Sequence, residues 1–122
     1  MSEKFYVYIG QLKKEFAKTK KAKRKNTNPD PEKCGLYVGY SIKPPKERWN
    51  QHLIKARNSK GKLFSSVAAK WGENYLHWKK FNNHNPLSTK DEAKKLEKKL
   101  ALKYRDKRFA VWSDALPYID KK

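Results

Sequence analysis

Cysteine is almost missing from this sequence. The one present, Cys34, permits no intramolecular disulfide and no cysteine-rich zinc site, which suits a reducing, intracellular setting. It precedes a strand-like run without a histidine–aspartate pair beside it and reads as a bystander. Acidic residues are also scarce, 12 against 31 Lys and Arg, and most lie in polar runs. That leaves little material for a two-metal carboxylate cluster. No apolar run approaches the length of a membrane-spanning helix, and no N-terminal apolar segment resembles a signal peptide. HExxH, EF-hand and P-loop patterns are absent, as is a GxSxG elbow. The three histidines, His52, His77 and His84, show no paired metal-ligand spacing.

Positive charge and aromatic rings are what the chain has in quantity. Its formal net charge is +19, a field that destabilises a compact chain by self-repulsion unless a polyanion relieves it. Nucleic acid is the expected partner, because each neutralised phosphate releases counterions; an anionic membrane surface is the weaker alternative. Only 37% of the residues are hydrophobic, but four Trp and seven Tyr bury much area apiece. A domain of this length buries roughly two-thirds of the surface its unfolded chain exposes. A thin aromatic core is therefore expected, and wholesale disorder is not.

EKFYVYIGQL (3–12) is rich in β-branched and aromatic residues and predicts a strand. Residues 13–33 bring a dense Lys/Arg block and then NTNPDPE, which is loop chemistry. We expect a mobile or partly ordered basic insertion there, not a second domain. GLYVGYSI (35–42) predicts a second strand. Pro44 or Pro45 can occupy the first turn of a helix running to about Asn58, with Trp49, Leu53 and Ala56 toward the core. LFSSVAAKWG (63–72) predicts a shorter helix stopped by Gly72. NYLHWKKFN (74–82) predicts a third strand with Tyr75, His77, Lys79 and Phe81 on one side.

STKDEAKKLEKKLALKYRDK (88–107) carries the clearest helix signal. Thr89 with Glu92 fits a capping box, and Ala93, Leu96, Leu100 and Tyr104 form an apolar stripe. The tail from about residue 106 holds a short apolar run and then loop residues. The order strand, strand, helix, helix, strand, helix belongs to a small α/β sandwich: a three-stranded sheet flanked by helices, in one domain spanning 1–122.

Several residues could do chemistry. Glu97 follows Leu96 on the apolar stripe. Buried charge is costly unless paired or bound to metal, so this carboxylate either sits in water at the stripe's edge or turns inward for a reason. Arg48 and His52, four apart, share a helix face, and the planar fork of Arg suits a phosphate; a solvated surface is the competing reading. Tyr8 and Tyr37 lie in neighbouring candidate strands, where a tyrosine usually packs with its hydroxyl at the rim.

YVY (6–8), LYVG (36–39), RWNQH (48–52) and EAKKLE (92–97) occur in this order. The ordered set resembles the GIY-YIG nuclease superfamily over roughly residues 4–105. Tyr8 stands at the closing tyrosine of the first motif and Tyr37 at the leading tyrosine of the second. Arg48 and His52 stand on the arginine–histidine helix, and Glu97 at the metal-binding glutamate. Tyr6 replaces the usual glycine of the first motif, and the basic insertion lengthens the separation of the two tyrosine motifs. No asparagine follows Asn85, which leaves Ser113 or Asp114 for the role of a downstream asparagine.

The resemblance implies a metal-dependent endonuclease hydrolysing DNA phosphodiesters with one divalent cation, Mg²⁺ or Mn²⁺, held by Glu97. Tyr37 would be the general base, Arg48 would steady developing charge, Tyr8 would hydrogen-bond the water or phosphate, and His52 would orient or assist the tyrosine. A catalytically inactive nucleic-acid-binding module of the same fold is the alternative, and charge with aromatics would also permit a basic structural protein. In the insertion, Lys18, Lys20, Lys21, Lys23, Arg24 and Lys25 are expected to track the phosphate backbone, supplying affinity without sequence information; a solvated loop is the bland reading. RNA stays open as a substrate. Target choice is left to a DNA structure preference or to a partner protein.

Overall fold

The computed structural model describes residues 4–119; positions 1–3 and 120–122, which include the expected start of the first strand and the end of the tail, fall outside them. Four strands, β1 (Tyr6–Leu12), β2 (Gly35–Ser41), β3 (Gly72–Leu76) and β4 (Ala110–Trp112), form one mixed sheet in the order β3-β1-β2-β4. β1 is antiparallel to β2 and to β3, and β4 is parallel to β2. The helices are α1 (Lys20–Lys25), α2 (Pro45–Leu53), α3 (Ser66–Trp71), α4 (Trp78–Phe81) and α5 (Lys90–Asp106), with 3-10 turns at Lys14–Lys18 and Asn82–His84.

The sheet is buried on both sides. Tyr8 pairs with Gly39 and Gly10 with Tyr37, and because side chains alternate along a strand these four positions share one face. Trp49 of α2 lies on that face. A Cβ added to Gly10 would come within 2.4 Å of the Trp49 ring, so only a glycine lets the indole settle on the strand. The indole N–H donates to the Glu73 carbonyl at 2.8 Å, which ties α2 to β3 as well. On the alternate positions Val7, Ile9, Leu36 and Val38 are also fully buried. The Thr89/Glu92 capping box forms as expected and starts α5, which lies along β2, β4 and β1.

The sequence-based picture needs four corrections. The sheet has four strands and not three, because the short apolar run in the tail pairs with β2 as β4. NYLHWKKFN is not one strand: β3 ends at Leu76 and Trp78–Phe81 form a helical turn. Beyond Leu76 the edge of β1 is completed differently. The Asn85 side chain accepts from Val7 N–H at 2.9 Å and donates to Val7 O at 2.8 Å, so one amide takes the place of a strand. The helix expected to reach Asn58 stops at Leu53. Lys55 has φ 59°, and the bonds from Lys55 N to His52 O and from Ala56 N to Gln51 O close a Schellman motif that leaves Ala56 outside the helix.

The fourth correction concerns the basic insertion. Its first half is part of the core: Phe16, Ala17 and Ala22 are buried, and Phe16 meets Trp71 and Trp112. Asn26, at the C-terminal end of α1, donates to Val111 O at 2.9 Å and accepts from Val111 N at 2.9 Å. That side chain closes the outer edge of β4, where an unpaired strand would otherwise present bare donors and acceptors.

Candidate active site

The first two strands and α2 bring four of the expected residues together. Tyr8 and Tyr37 point from the same sheet face and stack with ring centroids 6.0 Å apart. Gly39 makes the room, since a Cβ there would stand 2.8 Å from the Tyr8 hydroxyl. α2 starts at Pro45 after the Pro44–Pro45 break, and its second turn carries Arg48, Trp49 and His52 over these rings. The Tyr8 hydroxyl lies 2.9 Å from His52 Nε2, a buried hydrogen bond. The His52 and Tyr37 rings are 5.1 Å apart. Arg48 is fixed from two sides, by Nε donating to Gln51 Oε1 at 2.9 Å and by its guanidinium lying 4.4 Å from the Phe64 ring centroid.

Glu97 reaches the same place from α5. It is buried, so the inward reading of the apolar stripe holds and the edge-of-stripe reading does not. The Ser113 hydroxyl donates to Glu97 Oε2 at 3.3 Å. Together Tyr8, Tyr37, Gly39, Tyr40, Arg48, His52, Phe64, Glu97 and Asp114 line a cleft of about 100 Å³. All five expected chemical residues thus converge, although each had a plausible purely structural reading.

Burial sets the electrostatics. It lowers His52 to about 4, with the Arg48 charge acting in the same direction, so the imidazole is neutral beside Tyr8. Its Nδ1 is buried and has no hydrogen-bond partner among the described residues. Burial raises the Tyr8 phenol well above its ordinary value, and the neighbouring Tyr37 adds to this. Tyr37 is pushed up to about 12, first by burial and then by the Asp114 carboxylate; the Ser65 and Tyr8 hydroxyls pull the other way. Glu97 is pushed up to about 7, again by burial and then by Asp114, with Ser113, Lys25 and Lys94 opposing.

The basic residues of the insertion divide into two groups. Lys18, Lys20, Lys21, Lys23 and Arg24 are exposed, and Arg24 lies 4.9 Å from the Tyr118 ring centroid. Lys25 is buried instead. Its ammonium donates to Ser113 O at 2.8 Å and sits 4.1 Å from the Trp112 ring centroid. Its expected role on a phosphate backbone is therefore corrected: Lys25 holds the turn that carries Ser113 and Asp114. Sequence reasoning also missed Phe64 and Ser65, which no motif marks.

Among the described residues no three His, Cys, Asp or Glu side chains form a metal-binding group. The donor set facing the cleft still suits a hard cation that keeps several waters. It offers the carboxylates of Glu97 and Asp114 and no thiolate, and His52 Nε2 is engaged by Tyr8. Burial first, and then the facing Asp114 carboxylate, make Glu97 give up its proton reluctantly, and a cation would offset both.

Fold and cleft together define an α/β protein with a tyrosine–histidine–arginine–carboxylate site on a mixed four-stranded sheet. Comparison with family models, with curated proteins and with solved structures finds no match to the chain.

Proposed function

We propose that the chain is a GIY-YIG-type endonuclease that hydrolyses DNA phosphodiester bonds with one divalent cation, Mg²⁺ or Mn²⁺. The observation that carries this reading is the convergence of Tyr8, Tyr37, Arg48, His52 and Glu97 on a single cleft. A chain with +19 formal charge brings its polyanionic substrate there without needing sequence contacts.

Glu97, with Asp114 facing it, would hold the cation. When bound, that ion would supply Lewis acidity to the phosphate and positive charge against the two carboxylates. The residues of the chain do the rest. Arg48, preoriented by Gln51 and Phe64, meets negative charge that develops on the phosphate oxygens. Tyr37 would be the general base for the attacking water, with the hydroxyls of Ser65 and Tyr8 flanking its own. Burial and the Asp114 carboxylate hold its phenol at about 12, so it would take that role only where the charge of a cation beside Glu97 and Asp114 favours the phenolate. Tyr8 hydrogen-bonds the water or phosphate, and neutral His52 positions it through the 2.9 Å bond. Burial of the two phenols and the imidazole keeps bulk water away from that relay.

Conversion of supercoiled plasmid to nicked and linear forms in Mg²⁺ or Mn²⁺ tests the reading. Wild type should cut and Glu97→Gln should not. No cutting above that control, with DNA still retarded on a gel, would leave a binding module of the same fold.

A further inference from the structure

Tyr75 and Trp78 take no part in the cleft described above. They stand 56% and 43% exposed where edge strand β3 passes into α4. With Leu76, His77, Lys79 and Lys80 they line a separate cleft of about 370 Å³. The rings are held in place. Tyr75 meets the His77 ring edge-on at 4.9 Å, and Trp78 lies against Phe81 at 5.2 Å with 34° between the planes. Their remaining faces are in water.

A large aromatic left in water at a cleft marks a contact surface, and charge says what kind. Lys79 is exposed beside the rings. Lys80 lines the same cleft with its ammonium 5.5 and 5.8 Å from the Tyr104 and Phe109 ring centroids, so Lys79 and Lys80 both bring positive charge to a ligand there. His77, lowered to about 4 by burial and by Lys80, contributes an uncharged ring. Fixed aromatic faces next to a lysine are the pattern that unpaired nucleic acid uses: every base has a π-face to stack, and the backbone between bases needs a cation.

We propose that this ledge of Tyr75 and Trp78 with Lys79 binds single-stranded or locally unpaired nucleic acid by base stacking. β3 is the edge strand beside β1, and Leu76 pairs with Gly10 on the face that bears Tyr8. The neighbouring Tyr75 therefore points to the other face, and the ledge is a surface separate from the cleavage cleft. The inference goes beyond hydrolysis and does not require it.

The test uses the full chain carrying Glu97→Gln, so that no cutting complicates binding, with labelled oligothymidylate and a matched duplex as probes. Tyr75→Ala and Trp78→Ala should each weaken single-strand binding about tenfold, leaving duplex affinity and the salt slope unchanged. Trp78→Phe should keep most of the affinity while losing much of the fluorescence quenching that the oligonucleotide causes. Unchanged single-strand affinity in both alanine variants would overturn the proposal. Equal losses on single strand and duplex would do so too, by showing general damage or a merely electrostatic surface. Because binding is read and not cleavage, this proposal and the nuclease reading fail independently.

Discussion

Burial and the facing Asp114 hold the Glu97 carboxyl at about 7 against an ordinary 4.5, so between these two values the folded chain keeps a proton that the unfolded chain has released. Stability therefore falls as pH rises through this window, the reverse of a salt-bridged carboxylate. Glu97→Gln removes the penalty: without divalent cation its melting temperature should exceed wild type by on the order of 5 °C at pH 8. The gap should close near pH 4.5. A variant less stable than wild type at pH 8 would refute the assigned environment. A second residue-scale test separates the phenols. Tyr37→Phe should lower cleavage about a hundredfold or more, the range expected for loss of a general base, and a larger loss in Tyr8→Phe would transfer the role to the tyrosine that His52 holds. Sequence pattern places Glu97 on the apolar stripe beside Leu96 and leaves the solvated edge and the inward orientation both open. That direction depends on Ser113 and Lys25, which approach from the tail and from the insertion, and no periodicity along α5 could reveal them.

At the scale of elements, two asparagine side chains and two cationic helix caps shape the fold. Asn26→Ala should cost about 3 kcal/mol, because it strips both backbone bonds from buried Val111 on an edge strand; chemical denaturation measures this, and a loss under 1 kcal/mol would mean that water replaces the amide. Lys55→Gly should stabilise by about 0.5–1 kcal/mol, since φ 59° at this cap favours a residue without Cβ. The same features explain what the sequence could and could not tell. β1, β2 and α5 carried strong patterns and a capping box, and their extents came close. α2 was overrun because its end is marked by Lys55 and not by glycine. α5 is closed in the same way by Arg108 at φ 70°, two residues past Asp106. β4 is three residues long, too short for any alternation to show, and its edge is completed by a side chain 85 positions away.

At the scale of the molecule, the positive charge is mostly uncompensated: among the described residues one ion pair forms, Lys43–Glu47. The insertion contributes to this field without being an independent arm. Deleting residues 13–33 would remove Phe16, Ala22 and Asn26 from the core, so loss of DNA binding in such a deletion would report unfolding. Exposed charge is the proper target. Replacing Lys18, Lys20, Lys21 and Lys23 by Gln should leave the melting temperature within a few degrees, since all four are exposed. If α1 and the turn before it lie on the phosphate backbone, each lost contact should flatten the plot of log affinity against log salt by about 0.9 on duplex DNA, so the quadruple variant should lose a slope of about 3 to 4. Lys25→Gln should instead lower the melting temperature with little change in slope, because its ammonium is spent on Ser113 O and Trp112. An unchanged slope in the quadruple variant would move the duplex off the insertion and onto another basic face. Lys94, Lys95, Lys98 and Lys99 are exposed on α5, and Lys94 is close enough to Glu97 to favour its ionised form. DNA held there would approach the cleft from the helix that carries the carboxylate.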